Sequence, residues 1–451
     1  MVERLVVIGG DAAGMSAASQ ARRRRSPDEL EIVALERSRW VSYSACGEPY
    51  YVAGYVEPLE RLLARTPEDF GRMGIQVRIR HEATAINLGR RTVTVSDLGS
   101  GERKELGFDT LMIGTGGRPL RPPINGSRLP GVHGLHTLDD AIALRATAED
   151  GPGNAVVVGG GYVGLEAAEA FHSRGWRVTV LTSGPAVLDR TLDPDLGAQV
   201  VAAMENMGIR VVTGTRVECI NGTEQVVSVG CDDETHPADV VVLGLGFRPE
   251  STLAREAGIG IGPTGAISVD DRQRTDTEGV WAGGDCAEAS HRLTGQPVNF
   301  HLGTVANKAG RVAGINIGGG DARFPGVLGT AITKVCDLEI SSTGLRPSDA
   351  AAAGYDAVAG DAQGSTTAGY WPTASAMTIR VVAERAGGRI LGAQIVGGPG
   401  AGKRIDVFAT AIWNGMTAEE LAWADLAYAP PFSGVWDLIH IAARRAAIQT
   451  C

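Results

Sequence analysis

The sequence predicts an α/β protein: two similar strand–turn–helix–strand units, followed by a third segment of α+β character. Three observations carry this. Residues 4–8, Arg-Leu-Val-Val-Ile, form a short apolar run that ends in Gly9-Gly10-Asp11-Ala12-Ala13-Gly14. The pattern returns at Ala155–Val158, which ends in Gly159-Gly160-Gly161-Tyr162-Val163-Gly164. Beyond Gly318-Gly319-Gly320 the pattern changes to strands and apolar helices near 404–415 and 433–446.

A continuous apolar run bounded by a turn is the pattern of a parallel strand buried on both faces. The first run is followed by an Ala-rich helix, Met15 to about Arg25, and a second strand, Glu31 to Leu35, that stops at Glu36. In the repeat, a helix runs from about Leu165 to Ser173 and a strand from Arg177 to Leu181. A duplicated βαβ unit implies two dinucleotide sites in one chain. Between the units, Val77 to Val95 alternates like a meander and Thr110 to Gly114 reads as a buried strand. Residues 118–131, rich in Pro and Gly, read as a linker. The expected domains are 1–117 with 250–322, then 118–249 inserted within that first domain, then 323–451.

Composition narrows the function. A chain of 451 residues has room for two or three cores. Its net charge of −10 gives no basic footprint for nucleic acid. No apolar run approaches the ~18 residues of a membrane span. Met1-Val2-Glu3-Arg4-Leu5 lacks the anatomy of a signal peptide, so a cytoplasmic protein is expected. The six cysteines, at 46, 219, 231, 286, 336 and 451, show neither CxxC nor zinc spacing. Neither a metal site nor a disulfide framework is expected, and most of these cysteines read as small buried hydrophobes.

The turns carry the chemistry. Gly9, Gly10, Ala13 and Gly14 would let the backbone approach a pyrophosphate at a helix N-terminus, which fits FAD. Glu36, at the end of the next strand, can accept ribose hydroxyls. Asp11 stands where the fingerprint has its middle glycine, and a carboxylate there is unexpected. Gly159, Gly161 and Gly164 match the fingerprint fully and fit NAD(P). There Thr182 and Ser183, not an acid, end the next strand. The missing carboxylate favours NADPH over NADH, although no arginine adjoins these residues in sequence to grip a 2′-phosphate. Thr115 and Gly116, Gly246, and Gly284 with Asp285 lie in three further strand-to-loop turns.

In this order the motifs resemble those of the pyridine nucleotide-disulfide oxidoreductases, over essentially the whole chain. The resemblance implies that Asp285 bonds the ribityl chain of FAD, that Tyr162 covers the flavin until nicotinamide enters, and that the last domain forms a homodimer. It also places a redox cysteine at Cys46, in Ser42-Tyr-Ser-Ala-Cys46-Gly-Glu-Pro-Tyr-Tyr51. Disulfide-forming members have a second cysteine where Tyr51 stands. A lone cysteine must instead cycle through a mixed disulfide or a sulfenic acid. Members that use a sulfenic acid have a histidine at the position of Ala12.

The segment is more similar to coenzyme A-disulfide reductases. That resemblance implies coenzyme A contacts for Gln20, Arg23 and Ser42, although Ala45 replaces an asparagine. It also implies that Tyr428, and with it Tyr370, reaches Cys46 across the dimer. A helix beginning after Cys46 is the expected source of thiolate stabilisation. Cys451 reads as an incidental terminal thiol. The acceptor would be a small-molecule disulfide. The rival readings are an NAD(P)H oxidase, a polysulfide or sulfur reductase, and a redox-sensing flavoprotein.

Overall fold

The computed structural model describes every residue except Met1, Asp233 and Cys451. The chain opens with β1 (Glu3–Ile8), α1 (Ala12–Arg22) and β2 (Leu30–Glu36). A short helix, α2 (Glu48–Ala53), precedes β3 (Ile75–Ile79) and β4 (Thr110–Ile113). The inserted region contributes α3 (Leu138–Glu149), β5 (Asn154–Val158), α4 (Tyr162–Ser173), β6 (Arg177–Leu181), β7 (Arg210–Val212) and β8 (Val240–Leu243). The chain then returns through β9 (Val280–Ala282) and α5 (Gly303–Ile317).

Two five-stranded parallel sheets result. The first has the order β9-β4-β1-β2-β3. The second runs β7-β6-β5-β8 and ends on the two-residue strand Val132–His133. Burial explains the apolar runs. Leu5 and Val7 of β1 pack with α1 and α5, while Val6 and Ile8 face a second core with Val33, Leu35 and Val93. In the second sheet Ala155 and Val157 pack against Leu165 and Phe171 of α4, and Val156 and Val158 against Ile220 and Val229.

The expected meander lies further along. Ile75–Ile79 is the edge of the parallel sheet, and the antiparallel meander is His81–Asn87, Thr92–Asp97 and Arg103–Gly107. A matching one, Val217–Gly222, Val226–Cys231 and Glu234–Pro237, occupies the same place in the second unit. The expected linker is partly structured: Gly117–Pro119 pairs antiparallel with Phe247–Pro249, so both crossings between the units lie in one ladder.

The C-terminal segment is a five-stranded antiparallel sheet of β10 (Ala331–Val335), β11 (Leu338–Gly344), β12 (Ala357–Ser365), β13 (Ala376–Glu384) and β14 (Ile390–Gly397). Its order is β10-β11-β14-β13-β12. The helices Ile405–Trp413 and Leu438–Ala447 share its core. Val335, Ile340 and Val396 join the core of the second unit. Polar contacts back this docking: Thr333 Oγ1 donates to Glu166 Oε1 at 3.0 Å, and Lys334 pairs with Glu169 one turn further along α4.

Candidate functional site

The two glycine turns are built alike, atom for atom. Ile8 stands opposite Leu35, and the Gly9 N–H donates to the Leu35 carbonyl at 2.9 Å. Val158 stands opposite Leu181, and the Gly159 N–H donates to the Leu181 carbonyl at 2.8 Å. A Cβ on Gly14 would collide with the Gly9 carbonyl oxygen, and one on Gly164 with that of Gly159. Neither α1 nor α4 has a side-chain hydrogen bond at its N-cap, Asp11 and Gly161. Both helix starts are therefore open to an anion.

The two units part at the ribose position. Glu36 Oε2 accepts the Gly10 N–H at 2.8 Å, and its Oε1 accepts the Ser38 N–H at 2.7 Å. A Cβ on Gly10 would stand 3.1 Å from Glu36 Oε2, and one on Gly160 would stand 3.2 Å from Thr182 Oγ1. Thr182 thus takes the place of Glu36, with Ser183 exposed beside it.

The Cys46 loop is tied to the first turn. The Ser42 N–H donates to the Gly10 carbonyl at 2.9 Å, and the Tyr43 N–H to Asp11 Oδ1 at 3.2 Å. The unexpected carboxylate is therefore an anchor for this loop. From the other side, the Ser44 N–H donates to the Leu62 carbonyl and the Ala64 N–H to the Ser42 carbonyl, both at 2.8 Å. Ser42 is held at φ +48°, a left-handed conformation that costs a non-glycine residue on the order of 1–3 kcal/mol.

Cys46 lies in a single 3-10 turn, Ala45–Gly47, and is exposed in the isolated chain. Partial burial pushes its thiol pKa up, and Glu166, Glu48, Asp11 and Asp285 push it further. The helix after Cys46 forms as expected and has six residues. Those acids are themselves displaced, each chiefly by burial: Glu48 to about 8, Glu166 to about 7, Asp11 and Asp285 to about 6. Glu48 Oε1 is buried without a hydrogen bond. Neither Glu48 nor Glu166 was among the residues expected from the sequence. The available signals were an acid two residues after the cysteine and one a helical turn after Tyr162.

The other expected residues fall in several places. Thr115 Oγ1 donates to the Glu250 carbonyl at 2.6 Å, and the Gly116 carbonyl accepts the Glu250 N–H at 2.9 Å, so both clasp the crossing. Gly246 does likewise, accepting the Leu120 N–H at 2.9 Å. Gly284 packs on Ala13, which brings Asp285 to the start of α1, with His301 Nδ1 3.9 Å from its Oδ2. The Tyr162 hydroxyl is buried near Thr191 and Ser342. Gln20 is buried, and its Oε1 accepts from Arg24 Nη1 at 3.2 Å; Arg23 is exposed. Tyr51 lies under the Arg145 guanidinium, 4.6 Å from the ring centroid.

Tyr428 and Tyr370 are exposed on the C-terminal sheet domain, 46% and 76%. Their segments are joined by the Ala368 N–H donating to the Pro430 carbonyl at 3.0 Å. Trp423, Phe432, Val435 and Trp436 are exposed alongside. Cys231 and Cys286 are buried, Cys219 and Cys336 partly so. Cys451 lies outside the described residues.

The paired turns, the Cys46 loop and the C-terminal sheet define a two-nucleotide flavoprotein reductase. The chain belongs to the pyridine nucleotide-disulphide oxidoreductase family, whose description it matches over residues 3–310, with the family's dimerisation domain over 330–438. It is 37% identical over 449 residues to the NAD(P)H coenzyme A polysulfide/persulfide reductase of Pyrococcus horikoshii, covering 98% of both chains. It is 31% identical over 449 residues to the coenzyme A disulfide reductase of Staphylococcus aureus, covering 98% of this chain and 99% of that one. It superposes on the structure of an NAD-dependent persulfide reductase from A. fulgidus with a TM-score of 0.94, at 40% identity, covering 98% of this chain and 83% of that one.

The family is FAD-dependent and draws electrons from NAD(P)H. The residues present fit FAD: an uncapped helix start for the pyrophosphate, Glu36 for a ribose, and the half-buried carboxyl of Asp285 for a polyol. Among the described residues no helix is long and apolar enough to cross a membrane.

Proposed function

We propose that this protein reduces a disulfide of coenzyme A with electrons from NAD(P)H, using Cys46 as the only thiol of the cycle. The observation that carries the reading is the Cys46 loop: an exposed cysteine, moored to the FAD turn, with Tyr51 in place of a second thiol. Bound FAD supplies the two-electron chemistry that links a hydride donor to a sulfur–sulfur bond. Gly9, Gly10, Ala13, Gly14, Glu36, Thr115, Gly116, Gly284 and Asp285 would frame FAD. Gly159, Gly161, Gly164, Tyr162, Thr182, Ser183 and Gly246 would frame the nicotinamide nucleotide.

The Cys46 thiolate attacks one sulfur of the disulfide, forming a Cys46–coenzyme A mixed disulfide and expelling one coenzyme A thiolate. Tyr428 from a second copy, with Tyr370 beside it, gives that thiolate its proton. Two electrons from NAD(P)H then cleave the mixed disulfide, restoring Cys46 and releasing the second coenzyme A. One NAD(P)H and one proton are used for each two thiols formed. Arg23, which is exposed, offers its charge to the coenzyme A phosphates and Ser42 a hydroxyl. A homodimer is required, because Tyr428 and Tyr370 are exposed on a face crowded with Trp and Phe. Thr182 alone argues for NADPH, since it brings no charge against a 2′-phosphate; the loop that follows it argues otherwise.

The test is Cys46→Ser. It should abolish reduction of coenzyme A disulfide while flavin reduction by NAD(P)H persists. A mutant that keeps the parent disulfide-reductase rate sinks the mechanism. Mass spectrometry of the oxidised parent should find coenzyme A on Cys46. A second reading, reduction of polysulfides or persulfides through the same cysteine, is supported by the names of the Pyrococcus and A. fulgidus proteins. Parallel assays with the two acceptors decide between them.

A further inference from the structure

We infer that Asp189 sets the nucleotide specificity of this enzyme, and that it selects NADH. The second unit lacks an acid where the first has Glu36, and Thr182 stands there instead. The chain that follows does not leave the site. The Leu188 N–H donates to the Gly160 carbonyl at 2.8 Å, which pins the loop to the glycine turn, with Leu188 at φ +54°. The next residue is Asp189. Its carboxylate lies over Gly184, two residues beyond Thr182, with Cγ 2.8 Å from where a Cβ on Gly184 would stand. The loop thus brings a carboxylate back to Gly184, two residues beyond the position that lacks one.

Arg346 feels the charge of Asp189 without forming an ion pair with it. Arg346 donates through Nη1 to the Asp189 carbonyl oxygen at 2.6 Å and spends Nε and Nη2 on Asp349. Among the described residues no cation is paired with the Asp189 carboxylate, and Asp189 is exposed. A carboxylate at this place can accept ribose hydroxyls. Against a 2′-phosphate it sets like charge against like. On this inference NADH replaces the NADPH expected from Thr182 alone. Arg190 follows directly and is exposed, so it is the residue that would argue for NADPH.

The inference rests on the second glycine turn as the nicotinamide nucleotide site, not on coenzyme A disulfide as the acceptor. Loss of oxidised flavin absorbance is therefore the readout, followed anaerobically with each nucleotide and no acceptor present. The parent should reduce its flavin at least about tenfold more efficiently with NADH than with NADPH. Asp189→Asn should narrow that ratio by about fivefold or more, mainly through the NADPH KM. Calorimetric titration with NAD+ and NADP+ should show the same shift in affinity. A parent that prefers NADPH overturns the inference. So does an Asp189→Asn ratio equal to the parent's, or an Arg190→Ala variant that selectively loses NADPH.

Discussion

Asp11 Oδ1 accepts the backbone N–H of Tyr43 at 3.2 Å, so the N-cap of α1 holds the loop that presents Cys46. A hydrogen bond to a charged acceptor contributes about 1.5–3 kcal/mol. Asp11→Ala should therefore lower the kcat for disulfide reduction by about tenfold through loop mobility, while flavin reduction by NAD(P)H changes little. Asp11→Asn keeps an acceptor and should restore most of the rate. Equal loss in both variants would show that charge, not anchoring, is what matters.

The thiol of Cys46 is pushed up by partial desolvation and by four acids, with Glu166 first among them. Iodoacetamide should thus react slowly with the NAD(P)H-reduced enzyme at neutral pH and faster as pH rises. Glu166→Gln removes the leading charge and should move the alkylation profile to lower pH. Mass spectrometry on the Cys46 peptide makes the measurement, and an unmoved profile would refute the electrostatic account.

Glu48 is buried and held up to about 8. The sign follows from linkage. Between the ordinary carboxyl pKa and 8 the folded chain keeps a proton that the unfolded chain has lost, so stability falls as pH rises through that window. Glu48→Gln keeps a neutral group of the same size and should be more stable than the parent at pH 8 by on the order of 3 kcal/mol, with no advantage at pH 4. Thermal unfolding of FAD-loaded protein at both pH values checks this.

On the proposed function the two glycine turns serve different nucleotides. A methyl group on Gly14 meets the Gly9 carbonyl, and one on Gly164 meets that of Gly159. Gly14→Ala should yield protein depleted of FAD. Gly164→Ala should keep FAD yet raise the NAD(P)H KM by about tenfold or more. Flavin content after gel filtration and steady-state kinetics give the two readouts.

Both turns, the strands before them, Glu36 and Cys46 were legible because each is local: glycines at fixed spacing, an apolar run, an acid at a strand end. The rest needed contacts distant in sequence. Asp11 and Tyr43 are 32 residues apart, and nothing in the turn itself says that its carboxylate faces a loop. Asp189 reads as an exposed loop acid, and only the Leu188–Gly160 bond shows that its loop folds back onto the second glycine turn. The meander was placed too early because Ile75–Ile79 alternates like an antiparallel strand while pairing in parallel with β2. The strand Val132–His133 has only two residues, too short for any periodicity to register.

The ladder between Gly117–Pro119 and Phe247–Pro249 has a consequence for engineering. The polypeptide departs from the flavin-side unit and re-enters it through adjacent residues, with the Leu120 N–H bonded to the Gly246 carbonyl at 2.9 Å. Everything between those residues is a cassette whose two ends already touch. A nucleotide cassette from another reductase, grafted at 120 and 246, inherits a joint that needs no new linker. The incoming cassette must then match the polar ties from Thr333 and Lys334 to Glu166 and Glu169, from Arg346 to Asp189, and from Arg380 to Asp193 and Asp195.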